Sequence, residues 1–216
     1  MKRMRNLNPD EIYDQVVTIN QQSLTYHQRP LSNIVFMGMG EPLMNYKNVL
    51  ASIDKITDPE GLGMSPKRIT VSTSGIPKMI RKMADDGVKF KLAVSLHSAR
   101  QEVREQIMPF AIKFPLDELL ESLQHWYACT KKRITFEYVV WEGVNDTRED
   151  IHALVQFCLK VPSKVNLIQY NPIGNDMKQA STQIIDAYIK TLTDSRIQVT
   201  YRRSRGEDID AACGQL

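Results

Sequence analysis

The sequence predicts an α/β fold built on parallel strands. Three observations carry the expectation: short apolar strands alternate with helical stretches, the helices are long enough for crossovers, and glycines and polar residues gather where strands end. Strands separated by helices of this length must run parallel, because the chain needs a crossover to re-enter the sheet in the same sense. That leaves an open doubly wound sheet or a full or partial β/α barrel.

The chain opens with a helix. Asn8-Pro9-Asp10-Glu11 reads as a cap, a proline at the first helical position and acids in the first turn, and Ile12, Val16 and Ile19 fall on one face. A short apolar strand follows at Ile34-Val35-Phe36. With both faces apolar it fits a buried parallel sheet. It breaks into Gly38 and Gly40, and a helix runs from about Tyr46 to Ile56. The pattern then repeats. A strand at Arg68–Val71 leads through Ser72–Gly75 into a helix ending near Met83. A strand at Phe90–Ser95 leads into helical segments either side of Pro109, the later one starting at Pro115-Leu116-Asp117-Glu118. The strand Ile134–Val140 is followed by an Asn145-Asp146 cap and a helix to Leu159. The strand Val165–Tyr170 ends at Asn171-Pro172, ahead of a polar loop and a helix over Thr182–Leu192. The last strand is Ile197–Tyr201. No repeat, low-complexity segment or linker interrupts the series, so a single domain over residues 1–216 is expected.

At 216 residues and 42% hydrophobic, the chain can bury a core, which excludes a disordered protein. Its three cysteines, Cys129, Cys158 and Cys213, are too widely spaced for a disulfide framework or a CxxC pair. They point to a reducing, cytoplasmic setting. No apolar run is long enough for a membrane span, so no membrane partner is expected. The net charge of +3 is small, but basic residues cluster at Lys2, Arg3 and Arg5, at Lys131–Arg133, and at Arg202, Arg203 and Arg205. Phosphate binding needs local positive potential rather than a large total; solvated helix and strand ends are the plainer reading of any one cluster.

In parallel α/β folds, ligands bind where strands end. Those positions hold Met37-Gly38-Met39-Gly40-Glu41-Pro42, Ser72-Thr73-Ser74-Gly75, Ser95-Leu96-His97-Ser98 and Asn171-Pro172. They offer hydroxyl, imidazole, carboxylate and amide groups on what should be one rim. Gly38 and Gly40 allow close backbone approach, and Glu41 can accept hydrogen bonds from an ammonium. Singly, each has a plainer reading as a turn, an N-cap or a satisfied buried histidine. Together they predict a site.

The strings MGMGEPLMNYKNV, ITVSTSG, AVSLHS, FEYVVWEGVND, NLIQYNP and RGEDIDAACGQL stand in the order and spacing of radical S-adenosylmethionine (SAM) RNA methylases, which the chain resembles over nearly its whole length. The resemblance implies a partial (β/α)6 radical SAM barrel missing its first strand. It implies SAM contacts at Gly40, Glu41, Ser72, Ser95, Leu96, His97 and Asn171, with Cys213 as the cysteine that is methylated and carries the group. It further implies methylation of adenine C2 in 23S rRNA and tRNA by a monomeric enzyme supplied by an electron donor such as flavodoxin. A related branch of the family acts at adenine C8, and a non-catalytic SAM- or RNA-binding fragment is the other alternative.

Family members hold a [4Fe-4S] cluster on CxxxCxxC after the first strand and carry a second catalytic cysteine past CGQL. Neither stands in this sequence, so the chain is expected to be a fragment trimmed at both ends, with the cluster only in the full-length parent. Cys129 and Cys158 read as core or surface packing residues rather than ligands. One segment departs from the family pattern: Ala111 stands where members commonly carry asparagine, a change that bears on local substrate contacts.

Overall fold

The computed structural model of the chain describes residues 5–37, 40–171 and 177–202. Among these, six strands follow one another in chain order in one sheet. The recorded registers are all parallel. A doubly wound sheet reverses its strand order at a switch point. A strictly sequential order does not, and it selects the barrel-type alternative. The chain divides into two compact units, one comprising Met1–Thr73 with Lys89–Leu92 and the other Ser74–Val88 with Ala93–Leu216.

The first unit holds helix α1 (Pro9–His27), strand β1 (Ile34–Phe36), helix α2 (Tyr46–Thr57) and strand β2 (Ile69–Thr73). The expected start of α1 is present as a reciprocal capping box. The Asn8 side chain accepts from Glu11 N, and the Glu11 carboxylate accepts from Asn8 N, both at 2.9 Å. The expected apolar face is incomplete: no residue of α1 is buried, and Ile19 is 51% exposed. Val35 is 50% exposed, so β1 is not covered on both faces as its sequence suggests. It stands first in the strand order, with a neighbouring strand on one side only among the described residues. Helix α2 buries Tyr46, Val49, Ile53 and Ile56, which recur at helical spacing. Strand β2 starts one residue later than expected, since Arg68 closes a 3-10 turn, and runs on through Ser72 and Thr73.

The second unit holds helix α3 (Pro77–Asp85), the end of strand β3 (Lys91–Ser95), helices α4 (Gln101–Ile107) and α5 (Leu116–Thr130), strand β4 (Ile134–Val139), helix α6 (Arg148–Leu159), strand β5 (Ser163–Ile168), helix α7 (Thr182–Asp194) and strand β6 (Gln198–Arg202). Its core includes Leu119, Leu123 and Trp126 of α5, Phe136 and Tyr138 of β4, and Leu167 of β5, all with no exposed surface. The cap of α6 is not Asn145-Asp146. Thr147 takes that place in a capping box with Asp150, which frees Asn145 for another task. Ala111 is 1% exposed in a 3-10 turn, so its methyl group is a packing element.

Candidate functional site

In the first unit, Phe36 ends β1 beside Val71 in the β1–β2 register, and β2 runs on through Ser72 and Thr73 past the level where β1 stops. Gly40 and Glu41 follow β1, and a 3-10 turn, Pro42–Asn45, packs against β2. Gly40 has φ of +91°, and a Cβ there would have open space around it. The backbone conformation, rather than crowding, is what calls for glycine. Glu41 is the N-cap of the turn: its Oε1 accepts from Leu43 N at 3.0 Å, which orients the carboxylate. Ser72 lies at the end of β2 and is 5% exposed.

In the second unit, Ser95 ends β3 and the chain turns sharply at His97, whose φ is +56°. A residue other than glycine in this region is held there by its surroundings. Asn145 supplies much of the hold. Its Nδ2 donates to His97 O at 2.6 Å and to Val139 O at 2.9 Å, while its Oδ1 accepts from Trp141 N at 2.7 Å. Tyr188 completes the brace by donating from its hydroxyl to Asn145 O at 2.6 Å. Leu96 is fully buried. Its N–H donates to Glu137 O, and its carbonyl accepts from Arg104 Nε and Ser98 N. The side chain of Leu96 therefore belongs to the core.

The imidazole of His97 accepts at Nδ1 from Val139 N, 3.2 Å away. That bond fixes the neutral tautomer with its proton on Nε2. Burial, helped by the nearby Arg104 cation, pulls its pKa down to about 4. The sign of the linked stability follows. Above the unfolded pKa of about 6.5 the ring is neutral in both states, and between pH 6.5 and about 4 only the unfolded state takes the proton. Stability should therefore fall as pH drops through this window and level off below it. With partial exposure of the ring discounted, the loss is about 2 kcal/mol. Urea titrations at pH 7 and pH 4.5 should show this loss in the parent chain and a smaller one in His97→Gln. Equal losses in both would assign the pH dependence elsewhere.

The His97 ring meets Trp141 edge-on at 5.6 Å, and Trp141 meets Tyr170 at 5.9 Å. Asn171 follows Tyr170 and is 1% exposed. The three rings thus bring the turn after β3 and the end of β5 into one neighbourhood. Trp141 is 7% exposed, and its Nε1 is a buried donor with no acceptor among the described residues. An orphaned buried donor costs roughly 1–3 kcal/mol, so an acceptor supplied by a bound molecule would be rewarded.

Two further features escaped the sequence. Ser95, Glu137, Asn166 and Thr200 stand in register across β3, β4, β5 and β6. Glu137 Oε2 accepts from Asn166 Nδ2 at 2.7 Å, and Asn166 Oδ1 accepts from Thr200 Oγ1 at 2.9 Å. Burial raises the Glu137 pKa, partly offset by Asn166 and then by Arg202 and Lys164. Polar residues at alternate positions of apolar strands were the only signal available. The second feature is Arg104, fully buried, which donates to Leu96 O at 3.2 Å, Ser74 O at 2.7 Å and Phe114 O at 3.5 Å. Burial draws its pKa down to about 10, and it remains a cation at neutral pH.

Gly38, Met39, Pro172, Lys2, Arg3, Arg203, Arg205 and the implied methyl carrier Cys213 lie outside the described residues. Of the Lys131–Arg133 cluster, Lys131 and Arg133 are exposed, whereas Lys132 donates to Val88 O at 2.6 Å. No helix among the described residues is long and apolar enough to cross a membrane.

Parallel strands in sequential order are an arrangement this chain shares with a solved radical SAM methyltransferase. A crystal structure of a radical SAM methyltransferase from Sphaerobacter thermophilus matches 99% of this chain with a TM-score of 0.94 at 37% identity, over 62% of its own length. The chain is also 66% identical over its full length to a Christiangramia forsetii protein described as "Probable dual-specificity RNA methyltransferase RlmN", and covers 62% of it. The chain is thus similar to proteins described as probable RlmN RNA methyltransferases and to a solved radical SAM methyltransferase, and it spans about three-fifths of their length. The fold alone is shared with Streptococcus suis SuiB, solved with S-adenosylmethionine, at a TM-score of 0.63 and 14% identity over 94% of this chain. No protein-family model matches the chain.

Proposed function

We propose that the full-length protein methylates adenine C2 in 23S rRNA and tRNA, and that this chain contributes the SAM-binding strand ends and the methyl-carrying Cys213. The single observation that carries the reading is the coincidence of two things. The chain is 66% identical to a protein described as a dual-specificity RNA methyltransferase, and its strand-end groups are held by dedicated braces. SAM when bound supplies the methyl group. The residues present suit it. Glu41 is an oriented acceptor for its ammonium, and Trp141 Nε1 is a buried donor for one of its acceptor atoms. Neutral His97 presents Nε2–H, with its ring against Trp141.

A [4Fe-4S] cluster does not fit the residues of this chain. Its three cysteines stand at 129, 158 and 213, with no CxxxCxxC spacing. Any cluster ligands would come from outside these 216 residues. Cys213 would act as a thiolate, its sulfur taking the methyl group as the methyl–sulfonium bond of SAM breaks and S-adenosylhomocysteine leaves. Exposed Lys131 and Arg133 offer phosphate contacts that would help offset the few kcal/mol of drawing an adenine out of its stack.

Calorimetric titration with SAM tests the binding part. Glu41→Ala should weaken binding by about 1.5–3 kcal/mol, the worth of a charge-assisted hydrogen bond, and Trp141→Phe by about 1 kcal/mol. The full-length protein is the material for both. Parent-like affinity in the two variants would remove the strand ends from the site.

A further inference from the structure

We infer that Asp85, His125 and Cys129 form a binding site for a thiophilic divalent cation of the zinc type, separate from the strand-end residues. Cys129, which reads in sequence as a core or surface packing residue, is exposed. His125 and Cys129 are four residues apart on α5 and so share a face. Asp85 is the last residue of α3, the helix packed against α5 in the same unit. One ligand atom from each residue lies within 4.8 Å of the other two.

The spacing suits a tetrahedral ion. Bonds of about 2.3 Å to sulfur and 2.0–2.1 Å to nitrogen put those two atoms about 3.5 Å apart at the tetrahedral angle. Cys129 Sγ stands 3.6 Å from His125 Nε2. Asp85 Oδ1 is closer to Nε2, at 2.6 Å, because a proton bridges them when no metal does. Replacing that proton with a cation requires the pair to open to about 3.3 Å. The side chains can yield, since Asp85 is 63% and His125 35% exposed.

Thiolate, imidazole and carboxylate together select a borderline-soft ion over magnesium or calcium, which prefer all-oxygen shells. Three protein ligands leave the fourth position to water. The ion would pin the end of α3 to the last turns of α5. Because Cys129 and His125 must be unprotonated to bind, affinity should fall as pH is lowered.

Cobalt(II) provides the test, because a thiolate ligand gives it a charge-transfer band and a tetrahedral shell gives intense visible ligand-field bands. The protein is the 216-residue chain carrying Cys213→Ser, which removes the tail thiol; Cys158 is buried. One equivalent of cobalt should produce both features, and zinc should displace it. Cys129→Ser should eliminate the charge-transfer band, while His125→Gln and Asp85→Asn should each weaken binding about tenfold or more. Zinc should raise the melting temperature of the starting protein and not that of the Cys129→Ser variant. The inference fails if folded protein, verified by circular dichroism, gives no thiolate-to-cobalt band. It fails equally if the band survives Cys129→Ser.

Discussion

Alanine in place of Cys213 is expected to abolish methylated RNA in the full-length protein while leaving SAM affinity unchanged. The sulfur is proposed to take the methyl group covalently before the group reaches adenine, so its loss deletes a step instead of slowing one. The expected fall in product is more than about 10⁴-fold, as for a nucleophile that works as part of a unit. Cys129→Ala and Cys158→Ala should retain activity. Cys158 is buried, and its thiol pKa is pushed up to about 12 by burial, so it is a poor nucleophile. Mass spectrometry of the purified parent should find an added methyl on the tryptic peptide with Cys213 and on neither of the other cysteine peptides. Methylated RNA from the Cys213→Ala protein would refute the carrier role.

The second large effect is structural. Arg104→Met should destabilise the chain by about 3 kcal/mol. Methionine fills much of the same volume, so the loss reports on hydrogen bonding more than on packing. The carbonyls of Ser74 and Phe114 would lose the guanidinium as a donor, and that of Leu96 would keep Ser98 N alone of its two donors. Relief from burying a cation offsets part of that cost. In a chain of this size each kcal/mol moves the melting temperature by about 2–4 °C, so a drop of roughly 6–12 °C is expected. Arg104→Lys should fall in between, because a single ammonium cannot span three carbonyls in the fork geometry of a guanidinium. The Leu96 carbonyl precedes the left-handed residue His97, so a weakened SAM affinity in Arg104→Met should accompany the lower melting point. A melting temperature within about 2 °C of the parent would show that water replaces the lost donors.

Much of the fold was legible in the sequence because its signals are local. The alternation of short apolar strands with helices predicted parallel pairing, and every recorded register is parallel. The Asn8 cap was readable because its partner Glu11 is three residues away. The Asn145-Asp146 cap was misplaced by two residues, since Thr147 and Asp150 offered an equally good box. The strings GEP, STSG, SLH and DIDAACGQL pointed to the family, and the sequence and fold comparisons agree with it.

By itself the sequence determined the order and kind of the elements and placed the polar groups at strand ends. Periodicity and capping depend on residues within a few positions of one another. Only the tertiary structure decided how those groups are held and which side chains meet. Asn145 reaches His97 across 48 residues, and Arg104 reaches Ser74 across 30. The Glu137–Asn166 bond spans 29 residues and the His125–Asp85 contact 40. Val35 and Ile19 look like core residues in sequence, yet they remain exposed. Such outcomes follow from strand register and helix packing, which join distant segments at ångström precision. A hydrogen bond or metal ligand set exists only at that precision, so no local pattern in the chain can announce it.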